Sequence, residues 1–362
     1  MAAEMPRGRP SRETVYRRLE SSVAELHARF GGLPTPEEAS GIWSDIWHLE
    51  AHHSTALEGN TLILKQVEVL LEQGRTVGAK PLKDYLEVQG YGQAADWVYG
   101  HALRPGEWPT DGLVAMREVR HIHELAMSPV WEVAAHPDAT QREGPGMFRE
   151  HDLHPFGAGM KPPSWTLVPS AMQDWLDRVQ ELTPALTGVQ PATKAAPELL
   201  AELHNGFERV HPFIDGNGRA GRLVLNLLLV RLGYPPAIIL KSRREHYLDA
   251  MRKADSGDFS PLGEMIARAI YDNINRFILP AIAGEARLVP LAALVTPEFS
   301  LAALKQAAQR GRLKAIQSPD GVWQSTKKDV TTYRSHKGRH HKPSTQRAPS
   351  EGLRLNRGQD DK

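Results

Sequence analysis

Through most of the first 280 positions apolar residues recur at three- and four-residue steps, and glycine or proline interrupts them where a helix would end. That periodicity restricts the chain to a mostly α-helical body. From Ser11 to Phe30 the positions Val15, Leu19, Val23, Leu26 and Phe30 form one stripe that stops at Gly31-Gly32. Pro36–Leu57 resumes it with Ile42, Ile46 and Leu49, and Gly59 breaks it. The same spacing predicts helices over Leu64–Gln73, Tyr85–Val98, Asp111–Ala126, Ser170–Glu181, Ala195–Arg209, Gly218–Gly233 and Arg243–Asp255. Leu153–Val168 departs from the pattern, and its two glycines and Pro162-Pro163 pair predict a short hairpin or lid loop.

A length of 362 residues suggests two or three compact units, and 41% hydrophobic with 24% charged residues is a globular balance. The richest apolar stretch, Leu223–Leu232, is broken by Asn226 and Arg231, so it reads as a buried helix rather than a membrane span. The amino-terminal MAAEMPRGRPSRETVYRR lacks an apolar signal core. Zero cysteines exclude disulfides, thiolate zinc sites and a cysteine nucleophile. A cytoplasmic protein with no membrane partner is the expectation. Charge is unevenly placed: Ser300–Arg347 holds eleven Lys/Arg against two acids, a local +9, which leaves residues 1–299 at −8 within a net charge of +1. A basic end of this kind is the footprint of a polyanion partner.

The string most dense in chemistry is HPFIDGNGRAGR, His211–Arg222. Gly216 and Gly218 around Asn217 permit backbone geometries that bulkier residues resist, and a helix begins near Gly218. Unpaired amides at that helix start, with the helix dipole behind them, make an anion cradle. Arg219 and Arg222, three apart, share the first helical turn and grip a polyphosphate. Asp215 is a hard oxygen ligand suited to Mg²⁺ beside phosphate, and His211 at the edge can take a proton near neutral pH. Proton acceptor, metal ligand and anion grip therefore occur within twelve residues.

This string resembles the signature of the Fic (Fido) family, HPFx[D/E]GNGRxxR, at all its fixed positions. Pro145-Gly146-Met147-Phe148-Arg149 resembles the family's upstream element, and Leu153–Val168 its substrate-aligning flap. The resemblance spans roughly Ser40–Leu279. It implies a Fic-type helical bundle that transfers AMP from ATP to a Ser, Thr or Tyr hydroxyl of a target protein. By position it implies that His211 deprotonates the hydroxyl and Asp215 holds Mg²⁺. Asn217 with the amides of Gly216 and Gly218 would seat the α-phosphate, and Arg219 and Arg222 the outer phosphates. Tyr247 resembles the aromatic near the base pocket, whereas Asp255 stands where several members place an asparagine beside adenine. A carboxylate cannot donate a hydrogen bond as an amide does.

Ser54-Thr55-Ala56-Leu57-Glu58-Gly59-Asn60 places Ser54 and Glu58 on one helical face, a spacing that solvated helices also show. Beside the core motif it resembles the family's [S/T]xxxE[G/N] inhibitory helix. The resemblance implies that Glu58 engages Arg222 where the γ-phosphate belongs; the same glutamate orients a water for AMP removal in some relatives. Such a brake operates within one chain and demands no dimer.

Beyond Leu288, Ser300 is a possible N-cap for LAALKQAAQR and Gly311 its stop. Two β-like segments, Arg312–Ile316 and Val322–Ser325, follow across the turn Ser318-Pro319-Asp320-Gly321, with a last helix over Thr326–Tyr333. Residues 290–333 resemble the excisionase or MerR-type helix-turn-helix, which implies DNA as a partner through Lys305, Arg310, Arg312 and Lys314. Lys327 and Lys328 would flank these, and Arg334–Arg347 adds five basic residues with no acid. The alternative is a DNA-binding regulator whose Fic site senses nucleotide. His336, His340 and His341 lie in a basic tail without fixed geometry and are not read as a metal site; nor are His52–His53, His121/His123 or His151/His154. The expected organisation is an amino-terminal helical region (1–105) with its inhibitory helix near 36–58, a catalytic domain (106–283), a helix-turn-helix-like domain (288–333) and a disordered tail (334–362).

Overall fold

The computed structural model describes residues 10–36, 39–102, 112–153, 160–282, 288–318 and 321–339. The chain divides into two compact units, Met1–Ala283 and Gly284–Lys362. The first is helical among its described residues: α1 (Arg12–Phe30), α2 (Ser40–Leu57), α3 (Leu64–Gln73), α4 (Leu82–Ala102), α5 (Met116–Ala134), α6 (Val168–Leu186), α7 (Ala196–Val210), α8 (Asn217–Arg231), α9 (Arg244–Asp255) and α10 (Ser260–Asn273). A π-turn at Ile274–Ile278 carries α10 into α11 (Leu279–Ile282).

α8 is the axis of this unit. Every residue from Arg219 to Arg231 is buried, as expected of a helix apolar on all sides. α2, α4, α5 and α7 pack around it. α4 and α5 cross most closely at Gly90, where a β-carbon would collide with the Ala126 carbonyl. Two buried polar knots pin α8 to its neighbours. Arg231 pairs with Glu118 of α5 at 2.7 Å and donates to Leu113 O at 2.6 Å. Asn226 Nδ2 donates to Glu50 of α2 at 2.7 Å, and Glu50 also accepts from Tyr91 Oη at 2.7 Å and from Tyr99 Oη.

Several boundaries differ from expectation. α2 begins at Ser40 rather than Pro36, and α5 runs Met116–Ala134 rather than Asp111–Ala126, accommodating Pro129 within the helix. α10, unpredicted, follows Asp258 with Pro261 in its first turn. Of the segment read as a short hairpin or lid loop, residues 154–159 lie outside the described residues; the others hold no strand, and Trp165–Leu167 form a 3-10 turn leading into α6.

In the second unit, β1 (Val289–Pro290), β2 (Ile316–Gln317) and β3 (Trp323–Ser325) form an antiparallel sheet in the order β1-β3-β2, with Val289 opposite Ser325 and Ile316 opposite Gln324. α12 (Leu301–Gln309) is capped by Ser300 Oγ, which accepts from Ala303 N at 3.2 Å. α13 (Lys327–Arg339) extends past the expected end at Tyr333, so 334–339 are helical and the remainder of the expected disordered tail lies outside the described residues, as do Pro319 and Asp320. β1 was not anticipated, and the two expected strands are shorter than read. Leu291, Leu294, Phe299, Leu304 and Leu313 make the small core, and Phe299 packs against Tyr333 at 5.4 Å.

Candidate active site

α7 ends and α8 begins on either side of a bend that places His211–Asn217 at the mouth of a cavity of about 640 Å³. His211 closes α7 in the left-handed region (φ 50°), the only non-glycine residue with positive φ among the described residues. Such strain persists only where the surroundings hold it. Buried Arg149 does so: its Nε donates to His211 O at 2.9 Å, Nη1 to His151 O at 3.0 Å and Nη2 to Pro163 O at 2.6 Å. The Arg149 N–H donates to Pro212 O at 3.0 Å. The element at 145–149 is thus a clamp on the bend.

From the other side the bend rests on His123 of α5. Its Nδ1 accepts from Gly146 N at 2.9 Å, so Nε2 carries the proton donated to Asp215 O, also at 2.9 Å. The ring stacks on Phe213 with centroids 3.6 Å apart. Burial pushes its pKa down to about 4, which keeps it neutral. Sequence reading passed over His123, since nothing in its neighbourhood announces a partner 92 residues away. The Asn217 side chain braces the bend, Oδ1 accepting from Phe213 N at 2.9 Å and Nδ2 donating to Phe213 O at 2.8 Å, and the residue also lines the cavity. The Gly216 N–H donates to Asp215 Oδ1 at 2.6 Å.

His211 Nδ1 lies 3.1 Å from Glu208 O, so the proton resides there and Nε2 is the basic nitrogen. Burial pushes its pKa down to about 4. The imidazole is neutral at pH 7. For Asp215, burial favours the protonated form, but Arg219 and the Gly216 N–H outweigh it and its pKa is lowered. Arg219 Nη2 donates to Asp215 Oδ1 at 3.2 Å and Nη1 lies 3.5 Å from Glu87 of α4, yet buried Nε and Nη1 have no hydrogen-bond partner among the described residues. The two carboxylates, Asp215 and Glu87, hold the buried guanidinium in place at the cavity wall. No group of three or more His, Asp or Glu that could hold a metal occurs among the described residues. The half-exposed Asp215 carboxylate instead fits the habit of Mg²⁺, which is held by one carboxylate together with phosphate oxygens.

Arg222 is taken up by α2. Its Nε donates to Ser54 Oγ at 2.7 Å, and Nη2 donates to Ser54 O at 3.0 Å and Glu58 Oε1 at 2.7 Å. Burial disfavours the Glu58 charge, but Arg222 more than offsets this and the pKa is lowered. The carboxylate lies over the first turn of α8, where a β-carbon at Gly218 would collide with Glu58 Oε1. Two unanticipated residues fix this end of α2: Arg244 Nε donates to Leu57 O at 2.9 Å, and Asn60 Nδ2 donates to Glu87 at 2.9 Å. Tyr247, Leu248, Met251 and Asp255 of α9 line the cavity's other end. Asp255 Oδ1 accepts from Asn205 Nδ2 at 2.8 Å, and buried Tyr247 Oη lies 2.8 Å from His204 Nε2.

The cavity thus brings together His211, Asp215, Gly216, Asn217, Gly218, Arg219, Arg222, Tyr247, Asp255 and Glu58, with Ser54 behind Arg222. It does not include Lys305, Arg310, Arg312 and Lys314, which are exposed on and after α12 in the second unit and form no ion pair among the described residues.

Residues 114–229 match the model of the Fic/DOC family. The protein adenylyltransferase Fic of Drosophila willistoni is 29% identical over 255 residues, 68% of this chain and 46% of its own length. The protein adenylyltransferase fic-1 of Caenorhabditis elegans is 27% identical over 272 residues, 74% of this chain and 48% of its own. This chain spans about half the length of the curated relatives it matches. Among solved structures, Fic-1 of C. elegans superposes with a TM-score of 0.58 at 25% identity, covering 74% of this chain and 71% of that one. A Fic domain containing signaling protein from Bacteroides thetaiotaomicron, at 23% identity, shares the fold with a TM-score of 0.58 over 73% of this chain and 96% of its own.

Proposed function

We propose that the first unit is a protein adenylyltransferase that moves AMP from ATP to a Ser, Thr or Tyr hydroxyl of a protein and is held in check by Glu58. The observation that supports this reading is the joint lining of one cavity by a neutral His211, the helix start at 216–218, and the buried guanidinium groups of Arg219 and Arg222. The triphosphate lies along the amides of 216–218 and between Arg219 and Arg222, and the base reaches toward Tyr247, Leu248 and Met251. His211 Nε2 removes the hydroxyl proton as the oxygen attacks the α-phosphorus; the bond to the bridging oxygen breaks and pyrophosphate leaves. Asp215 would hold Mg²⁺, which would supply charge neutralisation at the phosphates when bound. Glu58 occupies Arg222 and the space beside Gly218, so Ser54 and Glu58 form the brake, and no helix among the described residues is long and apolar enough to cross a membrane and anchor the chain there.

The test is mass spectrometry of the full chain and a cell lysate incubated with ATP and Mg²⁺. Glu58→Gly is expected to yield peptides heavier by one AMP, at least about tenfold more abundant than with the unaltered chain. Absence of any such peptide with both proteins would refute the transferase reading.

For the second unit we infer nucleic-acid binding. The support is the exposure of Lys305, Arg310, Arg312 and Lys314 without ion-pair partners among the described residues, close to one another in a capped helix and the turn after it.

A further inference from the structure

The cavity wall holds a buried carboxyl with one oxygen that no donor among the described residues meets. Glu208 lies on α7 one turn before His211, is 7% exposed, lines the cavity, and its Oε1 has no hydrogen-bond partner among the described residues. Burial without a donor is destabilising, so a carboxyl retained there calls for a reason. α8 makes room for it at Gly221, where a β-carbon would collide with Glu208 Oε1 and sit 3.0 Å from the Phe207 ring. Gly221 immediately precedes Arg222. The carboxyl therefore stands against the stretch of α8 from which the Arg222 side chain departs.

Arg222 is held by α2 on one side and by the Tyr247 hydroxyl of α9 on another, with Glu58 its one carboxylate partner among the described residues. Ser54 and Glu58 accept its Nε and Nη2, while Nη1 faces the first turn of α8, 3.0 Å from where a Gly218 β-carbon would lie. The charged or titratable groups facing Glu208 are Arg222 of α8, Glu58 of α2 and Tyr247 of α9. Burial pushes the Glu208 pKa up, Arg222 pulls it down and Glu58 pushes it up again, for a balance of about 7. One guanidinium does not keep two desolvated carboxylates charged at once. With Glu58 seated, Glu208 is the one that retains its proton.

We propose that Glu208 is the second carboxylate of Arg222, a positioning residue that takes over the guanidinium when Glu58 withdraws and holds it toward the anion in the cradle. This rests on the reading of Glu58 as a competitor of the nucleotide. On withdrawal Glu208 releases its proton to water and accepts from Arg222, so the arginine never becomes a buried charge without a counter-charge. A residue that merely spaced α7 from α8 would matter equally in both states of Glu58.

The experiment is calorimetric titration of the full chain with ATP and Mg²⁺ at pH 6, where a Glu208 pushed up to about 7 keeps its proton while Glu58 is seated; it reads binding and needs no transfer. In the Glu58→Gly chain, Glu208→Gln is expected to raise the Kd about tenfold, the worth of one charge-assisted hydrogen bond. In the chain that keeps Glu58 the same change is expected to move it less than about twofold, because glutamine copies the protonated carboxyl already there. Glu208→Asp in the Glu58→Gly chain, which keeps the charge, is expected to recover part of the loss. Equal weakening in both chains, no weakening in the Glu58→Gly chain, or no recovery with aspartate overturns the proposal. Tight ATP binding with no AMP transfer would instead sink the transferase reading and leave this one standing.

Discussion

The two units carry their cations in opposite ways. In the first, Arg149, Arg219 and Arg222 are all buried, and each is met by acceptors from distant parts of the chain, completely for Arg149 and incompletely for Arg219. In the second, Lys305, Arg310, Arg312 and Lys314 are exposed and rely on no partner among the described residues. A buried guanidinium with spare donors selects an anion of fixed shape, because only a matching acceptor repays its desolvation. An exposed cluster makes a diffuse field that salt screens, and attracts any polyanion. The contrast separates a built site from an electrostatic surface.

The sharpest way to break it is at His211. His211→Ala is expected to lower AMP transfer by about 10²–10⁴-fold in the Glu58→Gly chain, the usual worth of a general base. ATP binding should remain within about twofold, since the anion grip lies on Arg219 and Arg222. Labelling with radioactive ATP read against calorimetry decides it; a parallel loss of both would place His211 in binding rather than chemistry.

The exposed surface should answer differently. Replacing Lys305, Arg310, Arg312 and Lys314 together by Ala is expected to weaken binding to duplex DNA by about tenfold or more and to flatten the dependence of log K on log salt by about 3.6. AMP transfer should not change. A DNA affinity indifferent to these four residues would leave the second unit as a protein-docking module.

Between these two in character is the contact of α2 with α8, which buries the brake. Glu50, Ser54 and Glu58 recur every four residues on α2 and meet Asn226 and Arg222, themselves four apart on α8. Burial raises the Glu50 pKa, while Tyr99, Tyr91 and Asn226 donate to it. Removing it leaves those three groups unsatisfied, so Glu50→Ala is expected to destabilise the chain by about 2–4 kcal/mol. It should also raise self-modification several-fold, because the register that seats Glu58 is loosened. Thermal unfolding and ATP labelling measure the two; a destabilised chain with unaltered labelling would detach the register from the brake.

What sequence made legible follows the same division. The ends of α1, α3, α8 and α9 were readable within about a residue or two, because Ser11, Gly31 and Gly74 cap them and apolar spacing fills them. α10 was not, although Leu262, Ile266 and Ile270 keep helical spacing; Asp258 and Pro261 read as turn residues until Pro261 is seen in the first helical turn. Within the site, twelve contiguous residues carried their own chemistry. Their supports did not: the Arg149 clamp, the His123 prop, the Glu208 carboxyl and the brace that Asn217 makes to Phe213 depend on contacts that only the folded chain makes. Composition identified the basic end as a surface and could not rank its residues, because exposed charges without partners have no geometry to distinguish them.

The smallest effect tests the burial of His211 itself. An imidazole with a pKa of about 4 stays neutral as pH falls from 7.5 to 5.5, whereas an ordinary one near 6.5 becomes about nine-tenths protonated over that range. Protonation removes the lone pair that accepts the hydroxyl proton, so an exposed base would lose about tenfold in rate. The Glu58→Gly chain at saturating ATP should change less than about twofold over this range, and fall only as pH approaches 4. Removing Glu58 strengthens this expectation, because the Glu58 charge pushes the His211 pKa upward. The protonated, exposed imidazole of the unfolded chain opposes folding in the same window: burial of a neutral ring lets stability drop as pH falls below 6.5, so rate and unfolding must be measured together. A rate that titrates near 6.5 while the fold stays intact would mean that the imidazole meets water during turnover and that the cavity opens more widely than its resting shape.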